Sequence, residues 1–375
     1  MDGPRAPRTD EFESMMAVVN LVFRARNDQP PTMGDEFPLL FSPENREHLR
    51  VTVDDGRVVC HVGSIYQTML IGESRLPTAS IGSVCTHPDY RGRGLASQAL
   101  EDLMAAMARD GIALMPVSGN RGLYKRHACV TGGRRRDFDL TVDQLADVGA
   151  PAVAVRRRTP DDFETVRALY EAEPLRYERE PRNFLTLLES FERNGSTTVV
   201  FTDEVGRALA YAIIRHAGPM AWAGKGVGRV VEWAGVAESV VGGLASAARL
   251  IGVERIQIGA VRGREEVADL LASAGFEGKE GPLGGTFRVI DPGVLVTALA
   301  PWWRDRLGGE MPAVTTPDGG AVRLGLGGAA ITAPDLGAFT RLIFSGDAPE
   351  GAGAAFDRLR PALPVPLPAP GLNYA

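Results

Sequence analysis

The chain has 375 residues, of which 44% are hydrophobic and 23% charged, and it carries a formal net charge of −6. A chain of this length usually holds two or three domains, and this composition excludes global disorder. The acidic balance argues against nucleic acid as a partner, because a phosphate backbone binds to a basic surface.

Secretion, membrane insertion and metal binding are also disfavoured. The first residues, MDGPRAPRTD, lack the apolar core of a secretory signal, and no apolar run is long enough to span a bilayer. Cys60, Cys85 and Cys129 fit neither a zinc signature nor an even-numbered disulfide framework. We therefore expect a cytoplasmic protein with reduced thiols, without a metal and without a membrane partner.

The first 150 residues predict a module of helices and antiparallel strands. A helix is predicted from Arg8, followed by a strand, an Asp-Gly turn and a second strand between Leu49 and Gln67. A third strand ends near Cys85, and a helix with one apolar face starts near Gly94. A short buried strand (IALMPVSG) and a short helix (around RGLYKRHA) follow. This order of elements is typical of an α+β module.

The same order of elements returns later in the chain. The segment RTPDDFETVRALYEAEP, which begins at Arg158, echoes RTDEFESMMAVVNLVFR, which begins at Arg8. A hairpin, a third strand, a helix of small residues, a short strand and a short helix follow it again. Such self-similarity indicates a repeated structural unit. We therefore predict two copies of one module, over residues 1–150 and 151–289.

Residues 290–375 do not continue the repeat. We predict one helix over DPGVLVTALAPWWRDRLGG with Pro292 near its start, a strand pair, a helix that ends at Gly346, and a loop over APEGAGAAF. The proline-rich end, RPALPVPLPAPGLNYA, is expected to be extended. Its apolar residues predict that it lies in a groove, with a flexible terminus as the alternative.

The segment VCTHPDYRGRGLAS, from Val84 to Ser97, joins the third strand of the first module to the next helix. Pro88 stops the strand because proline has no N–H for the ladder, and Gly92 and Gly94 permit backbone conformations that other residues resist. The amides of such a loop, together with a helix N-terminus, attract phosphate. A tight turn with solvated arginines is the alternative reading of the loop's shape.

The full segment resembles motif A of the GNAT superfamily of N-acetyltransferases. That motif reads Arg/Gln-x-x-Gly-x-Gly/Ala, and residues 91–96 supply it here. The resemblance covers residues 1–150 by motif and 151–289 by architecture only. It implies an α/β/α GNAT fold of the α+β class, with acetyl-CoA as co-substrate.

The resemblance also implies which residues contact the co-substrate. The backbone of Val84, Cys85 and Thr86 would pair with the pantetheine arm and the acetyl carbonyl. The pyrophosphate would lie on the loop and the first helical turn, formed by Arg91, Gly92, Arg93, Gly94, Leu95, Ala96 and Ser97. Lys125 is a further candidate near the cofactor, whereas His87 is interpreted as a structural turn residue.

The second module departs from this pattern. Its corresponding segment, EWAGVAESVVGGLAS, lacks the motif, and Glu238 within it would repel phosphate. We predict that this copy does not bind CoA and instead forms a wall of the substrate site and an assembly surface.

Acetyl transfer to an amine requires a base, a donor for the oxyanion and a proton for the leaving thiolate. GNAT enzymes often place a tyrosine on the short helix beside the CoA sulfur, which makes Tyr124 the candidate acid. A phenol, with an ordinary pKa of about 10, suits a departing thiolate; packing against the cofactor is the alternative role. The loop acids Asp35 and Glu36 are candidates for the acceptor site, where they would favour a cationic amine.

The whole chain also resembles the enhanced-intracellular-survival type of aminoglycoside acetyltransferase, which has two GNAT modules and a sterol-carrier-like region. The segment PDLGAF is similar to the DLGAL of that family. There the final carboxylate is the general base, which implies the α-carboxylate of Ala375 here. Two features depart from the family: its acid tyrosine aligns with Cys129 rather than Tyr124, and the C-terminal region is short. Relatives assemble as trimers or hexamers, so a homo-oligomer is expected.

The predicted function is acetyl transfer from acetyl-CoA to a primary amine of a small molecule. Two alternatives remain open: a CoA-binding regulator without transfer, and a peptide or protein N-acetyltransferase. The intact loop and Tyr124 favour an enzyme. A returning C-terminal tail would narrow the open groove that a peptide substrate needs.

Overall fold

The computed structural model describes residues 1–151, 153–218 and 224–373. These residues form two compact units, each built from two separate segments of the chain. Unit 1 contains Met1–Gly132 and Gly284–Val365, and unit 2 contains Gly133–Leu283 and Pro366–Asn373. Helices and strands occur in both, which confirms the predicted mixed α/β class. The predicted division into residues 1–150, 151–289 and 290–375 stays a prediction about modules and does not coincide with these units.

The first segment of unit 1 follows the predicted order of elements. Asp55 and Gly56 join the two strands of the predicted hairpin. Both have positive φ, at 48° and 72°, as a two-residue hairpin turn requires. The elements are β1 (Asp2–Arg5), α1 (Phe12–Phe23), α2 (Met33–Glu36), β2 (Leu49–Asp54), β3 (Arg57–Ile71), β4 (Ser74–Thr86), α3 (Leu95–Arg109), β5 (Leu114–Val117) and α4 (Gly122–Arg126).

The sheet of unit 1 runs β1-β2-β3-β4-β5, and residues 286–289 extend it beyond β5. The pairs from β1 to β4 are antiparallel, whereas β4 and β5 are parallel and α3 connects them. The predicted apolar face of α3 is buried on the sheet, since Leu95, Leu100, Leu103 and Met107 are all at most 5% exposed. The parallel pair with its crossover helix places a helix N-terminus at one end of β4.

Unit 2 contains the same arrangement of a parallel strand pair with a helix between. The chain from Val130 to Val289 forms β6 (Val130–Thr141), α5 (Val142–Ala146), β7 (Ala154–Arg157), α6 (Phe163–Glu171), β8 (Leu175–Tyr177), α7 (Pro181–Arg193), β9 (Ser196–Thr202), β10 (Ala208–Arg215), β11 (Val227–Gly235), α8 (Ala237–Ile251), β12 (Arg255–Val261), α9 (Glu266–Ser273) and β13 (Lys279–Val289), of which residues 286–289 pair in the sheet of unit 1. The sheet of unit 2 runs β6-β12-β11-β10-β9-β7, in which β11 and β12 are parallel.

The second segment of unit 1 carries a small three-stranded sheet and four α-helices. The elements are α10 (Pro292–Ala298), α11 (Ala300–Arg306), β14 (Ala313–Thr315), β15 (Val322–Leu326), β16 (Ala329–Ala333), α12 (Leu336–Ser345) and α13 (Gly353–Leu359). The predicted end of α12 is confirmed, because Gly346 follows it with a φ of 74°.

Two predictions for this segment are wrong. The helix predicted from Pro292 is two helices, because Pro301 lacks the N–H that would bond to the preceding turn and instead lies in the first turn of α11. The loop predicted over residues 348–356 contains the start of α13. That helix buries Ala355 and Leu359, so packing of its apolar face outweighs the glycines around it.

The C-terminal tail is buried, as predicted from its apolar residues. Residues 362–368 are all buried, and the Val365 N–H donates to the Ile343 carbonyl over 2.8 Å. In unit 2, Asn373 Oδ1 accepts a 2.7 Å hydrogen bond from Arg179 Nε. Tyr374 and Ala375, including the predicted base, lie outside the described residues. Among the described residues, no helix combines the length and apolar character that a membrane crossing requires.

Candidate functional site

The sheet of unit 1 opens between β4 and β5. The two strands pair at Thr78↔Leu114 and Ile81↔Val117, where β5 ends. β4 continues for five more residues, to Thr86. Among the described residues, no strand therefore pairs with this edge of β4 over residues 82–86, which include the predicted contacts Val84, Cys85 and Thr86. Backbone groups on such an edge can pair with an extended ligand.

A β-bulge lies at the start of this open edge. His61 pairs with Cys85 and Gly63 pairs with Gly82, so Ser83 and Val84 together oppose the single residue Val62. Ser83 has a φ of 57°, the left-handed region that a non-glycine residue rarely adopts. Bulges bend a strand and re-aim its backbone, and they are common next to active sites.

At the open end of β4, side chains pack on both faces of the sheet and fix the strand's position. Val84 belongs to the apolar cluster under α3, together with Tyr124 of α4. Cys85 belongs to the cluster under α1, together with Met15 and Phe41. Successive side chains of a strand point to opposite faces, so both cores hold the open edge in place.

The loop after β4 has the glycine conformations that the sequence predicts. Gly92 and Gly94 have φ of 76° and 77°. Among the described residues, an added Cβ at Gly92 would meet no atom within 4 Å, and one at Gly94 would meet only Gln98 Nε2, at 3.9 Å. The space above these two residues is thus open to a ligand that approaches the backbone.

The arginines of the loop are exposed, and backbone carbonyls hold them. Arg93 Nη2 donates to the Asp89 carbonyl over 3.0 Å, and its guanidinium lies 4.6 Å from the ring centre of Tyr90. Arg91 Nε donates to the Thr86 carbonyl over 3.4 Å. His87 Nδ1 accepts from the Asp89 N–H, which agrees with the structural role predicted for it. Two positive charges therefore flank the glycines.

Helix α3 starts directly after Gly94 and is fifteen residues long. The first N–H groups of a helix have no partner in the preceding turn, and with the helix dipole they favour an anion. Leu95 and Ala96 supply these groups, whereas the Ser97 N–H donates to the Gly94 carbonyl over 3.0 Å. Ser97 Oγ lies 2.8 Å from His127 Nε2, a pair that the sequence did not indicate.

Helix α4 places Tyr124 against the same core as Val84. The tyrosine is 6% exposed, and its ring fills the space beside Gly119, where an added Cβ would lie 2.9 Å from Cε2. Its neighbour Lys125 is exposed. The Cys129 N–H donates to the Tyr124 carbonyl over 3.0 Å, so the two candidate positions for an acid are linked through the backbone.

The two predicted acceptor-site acids lie in different environments. Asp35 is exposed, whereas Glu36 is buried and forms an ion pair with Arg24, with Nη2 and Oε2 2.6 Å apart. Arg24 Nε also donates to Glu36 Oε1 over 2.9 Å. The charge of Glu36 is therefore balanced within the protein. An acceptor-binding role stays a prediction for both residues, and the geometry favours Asp35.

The comparisons with known proteins agree with this geometry. Residues 4–127 match the family described as the acetyltransferase (GNAT) domain. The match confirms the resemblance that residues 91–96 carry, and it covers about a third of the 375 residues. No curated protein sequence matches the chain.

Several solved structures share the fold over most of the chain. A GCN5-related N-acetyltransferase from Kribbella flavida has a TM-score of 0.61 at 16% identity, over 87% of this chain and 83% of its own. Eis1 from Mycobacterium abscessus has a TM-score of 0.60 at 16% identity, over 92% of this chain and 90% of its own. A probable N-acyltransferase from Enterococcus faecalis has a TM-score of 0.60 at 18% identity, over 78% and 73%. At these identities the structures establish the fold.

Unit 2 carries a different surface at the corresponding corner. Helix α8 starts at Ala237 after Val236, without a glycine loop, and its Gly243 serves packing, because an added Cβ there would lie 2.2 Å from Phe201 Cδ1. This corner holds a cavity of about 400 Å³. The charged residues in its lining are one arginine, Arg264, and four carboxylates, Glu173, Glu238, Glu266 and Asp269. This negative balance supports the prediction that the second copy does not bind CoA.

Cys60, Cys85 and Cys129 are all free and buried, and burial raises the pKa of each thiol, that of Cys129 to about 11. Because only the thiolate reacts, we expect iodoacetamide at pH 8 to label Cys129 in the native protein at least about a hundredfold more slowly than free cysteine. Mass spectrometry of native and urea-unfolded protein measures this, with three labelled thiols expected after unfolding. Rapid labelling of Cys129 in the native protein would contradict it.

Proposed function

We propose that the protein is an acetyl-CoA-dependent N-acetyltransferase that acts on a primary amine of a small molecule. The observation that carries this proposal is the open edge of β4 beside the glycine loop and the N-terminus of α3. A strand edge can hold the pantetheine arm, and the adjoining amides can hold a pyrophosphate, which are the two chemically distinct parts of CoA. The open space above Gly92 and Gly94 fits a ligand that approaches the backbone closely.

The reaction that this geometry supports is direct attack. The amine nitrogen attacks the thioester carbonyl, the C–S bond breaks, and an amide and the CoA thiol are the products. A backbone N–H of the open β4 edge would stabilise the oxyanion. The amine proton leaves to a base, for which the Ala375 carboxylate stays the predicted candidate, and the thiolate takes a proton from Tyr124. A small amine with a positive charge suits the exposed carboxylate of Asp35.

The finer assignments belong to the same proposal. The element order in unit 2 supports a second, degenerate GNAT module, and a short sterol-carrier-like region after it, as in the enhanced-intracellular-survival type. The three free thiols support a cytoplasmic location. A homo-oligomer without a metal is proposed on the same resemblance.

Acetyl-CoA consumption with a panel of small amines, polyamines and peptides tests the proposal, with the released thiol as the readout. Turnover on small amines is expected. Turnover on peptide N-termini alone would favour a peptide N-acetyltransferase. Tight CoA binding without turnover on any amine would favour a CoA-binding regulator.

Replacement of Tyr124 by phenylalanine tests the acid role. We expect kcat to fall about a hundredfold or more, because general acid catalysis typically contributes that much, while the Kd for CoA is unchanged. Cys129→Ser tests the other candidate position for the acid, and it is expected to keep most of the activity if Tyr124 is the acid. An unchanged kcat in Tyr124→Phe would show that the tyrosine only packs.

A further inference from the structure

Two buried polar atoms at the β4 bulge, one on β3 and one on β4, have no hydrogen-bond partner in the described part of the chain. His61 on β3 is fully buried, and its Nε2 is one of them. Ser83 Oγ, within the bulge itself, is the other. Buried polar atoms are paired in the great majority of cases, so two unpaired ones at one place need a physical reason.

Packing alone does not account for an imidazole at this position. The ring of His61 lies 5.8 Å from that of Phe41, and its backbone pairs with Cys85 across the strands. A phenylalanine or leucine would fill such an apolar site without an unpaired nitrogen. The imidazole adds one interaction, in which Nδ1–H donates to the Ser83 carbonyl over 2.8 Å. A carbonyl only accepts, so Nδ1 carries the proton and Nε2 the lone pair.

The same hydrogen bond acts on a strained residue. Ser83 has a φ of 57°, and such a conformation persists only where the surroundings impose it. Burial lowers the pKa of His61 to about 4, so at neutral pH the ring is neutral and this tautomer is retained. Gly63 leaves room for the ring, since an added Cβ there would lie 3.1 Å from Cε1 of His61.

We propose that His61 is a positioning residue for acyl transfer. By holding the Ser83 carbonyl, it keeps the bulge in the form that presents the backbone of Val84 and Cys85 to the acyl carbonyl at the open edge. The inference rests on the proposed function, because it concerns the geometry of the same acyl-binding edge. His61 itself does not contact the substrate in this proposal.

The test compares two substitutions at His61 by a signal that packing alone would not move. Asparagine keeps an N–H donor near the position of Nδ1, whereas phenylalanine keeps a ring and loses the donor. The measurement is the infrared carbonyl stretch of isotope-edited acetyl-CoA bound to each variant, since a hydrogen bond to the thioester oxygen lowers its frequency. We expect a lowered frequency in the wild type and in His61→Asn, and a return toward the frequency of free acetyl-CoA in His61→Phe.

Turnover should follow the same order. In His61→Phe we expect kcat on any accepted amine to fall about a hundredfold with an unchanged Kd for CoA, because a small misplacement of the reacting group has an effect of that size. His61→Asn should recover most of this loss. If His61→Phe fails to fold by circular dichroism, His61→Gln replaces it, since glutamine places its donor near Nε2 instead.

The outcomes separate the two proposals. If wild-type protein does not bind acetyl-CoA, the proposed function fails, and the role of His61 fails with it. If the wild type binds acetyl-CoA but His61→Phe shows the same carbonyl frequency and kcat, only the positioning role is overturned. Equal losses in the asparagine and phenylalanine variants would also overturn it, because they would show that the donor to Ser83 does not matter.

Discussion

Replacement of both Gly92 and Gly94 by alanine is expected to weaken CoA binding at least about a hundredfold. Both glycines have positive φ, and the added methyl groups would enter the open space above the loop. A pyrophosphate held there would lose charge-assisted hydrogen bonds to the backbone, each of which contributes about 1.5–3 kcal/mol. Two lost bonds amount to about 3 kcal/mol or more, and each 1.4 kcal/mol is tenfold in Kd. Isothermal titration calorimetry with CoA measures the change.

The chain offers a matched control for this double substitution. Gly56 and Gly72 lie in the hairpin turns of the same unit, with φ of 72° and 57°, and an added Cβ would meet no atom within 4 Å at either. Alanine at these positions carries the same backbone strain, about 1–2 kcal/mol each, but does not touch the loop. Similar losses of Tm are therefore expected in both double variants, with CoA affinity lost only at Gly92 and Gly94.

Pantetheine, which lacks the pyrophosphate, distinguishes the loop from the strand edge. Its weak binding should be the same in the Gly92/Gly94 variant and in the wild type. If both ligands lose affinity equally, the alanines have displaced the β4 edge as well. If CoA affinity does not change, the pyrophosphate does not lie on this loop, and the proposed function loses the observation that carries it.

The sequence predicted the loop, the helix start and the hairpin turn correctly, because interactions between residues close in the chain determine these features. The loop with Gly92 and Gly94, the start of α3 after Gly94 and the apolar face of that helix follow from turn chemistry and from a period of 3.6 residues. The Asp55–Gly56 turn is equally local. Each of these is confirmed, because few neighbours distant in the chain could alter the outcome.

The features that the sequence did not predict depend on pairing across the sheet. The bulge at Ser83 exists only because β3 and β4 adopt one register, and nothing in the serine itself indicates a positive φ. The one available signal was His61, a polar residue within the apolar strand VVCHVG. The burial of Glu36 depends likewise on Arg24, which lies twelve residues earlier, directly after α1. Such partners are chosen by the whole fold, and local propensity does not encode them.

Unit 2 contains a buried charge pair that no local pattern indicated. Arg179 and Glu232 form two parallel hydrogen bonds, with Nη1–Oε1 and Nη2–Oε2 distances of 2.9 and 2.6 Å. The guanidinium stacks 4.0 Å from the ring centre of Tyr170, and Tyr211 donates to the carboxylate over 2.9 Å. The end of the tail completes the network, because the Leu372 N–H donates to Glu232 Oε2 over 3.2 Å.

Replacement of Arg179 by methionine is expected to lower the free energy of unfolding by about 3–5 kcal/mol. The substitution leaves the carboxylate of Glu232 buried without a counter-charge, which is a far larger cost than the value of the pair itself. It also removes the donor to Asn373, so the tail should become sensitive to protease. Urea unfolding followed by circular dichroism measures the first effect, and limited proteolysis with mass spectrometry measures the second.

The double variant Arg179→Met/Glu232→Leu decides whether the uncompensated charge is the cause. It removes both charges, and replacement of a whole buried pair by apolar side chains is often neutral, so we expect most of the lost stability to return. Arg167→Met serves as the surface control, because Arg167 pairs with Glu164 and Glu171 on an exposed helix face, where ion pairs contribute little. If the double variant is no more stable than Arg179→Met, the arginine stabilises unit 2 through its stacking on Tyr170 and its bond to the tail rather than through its charge.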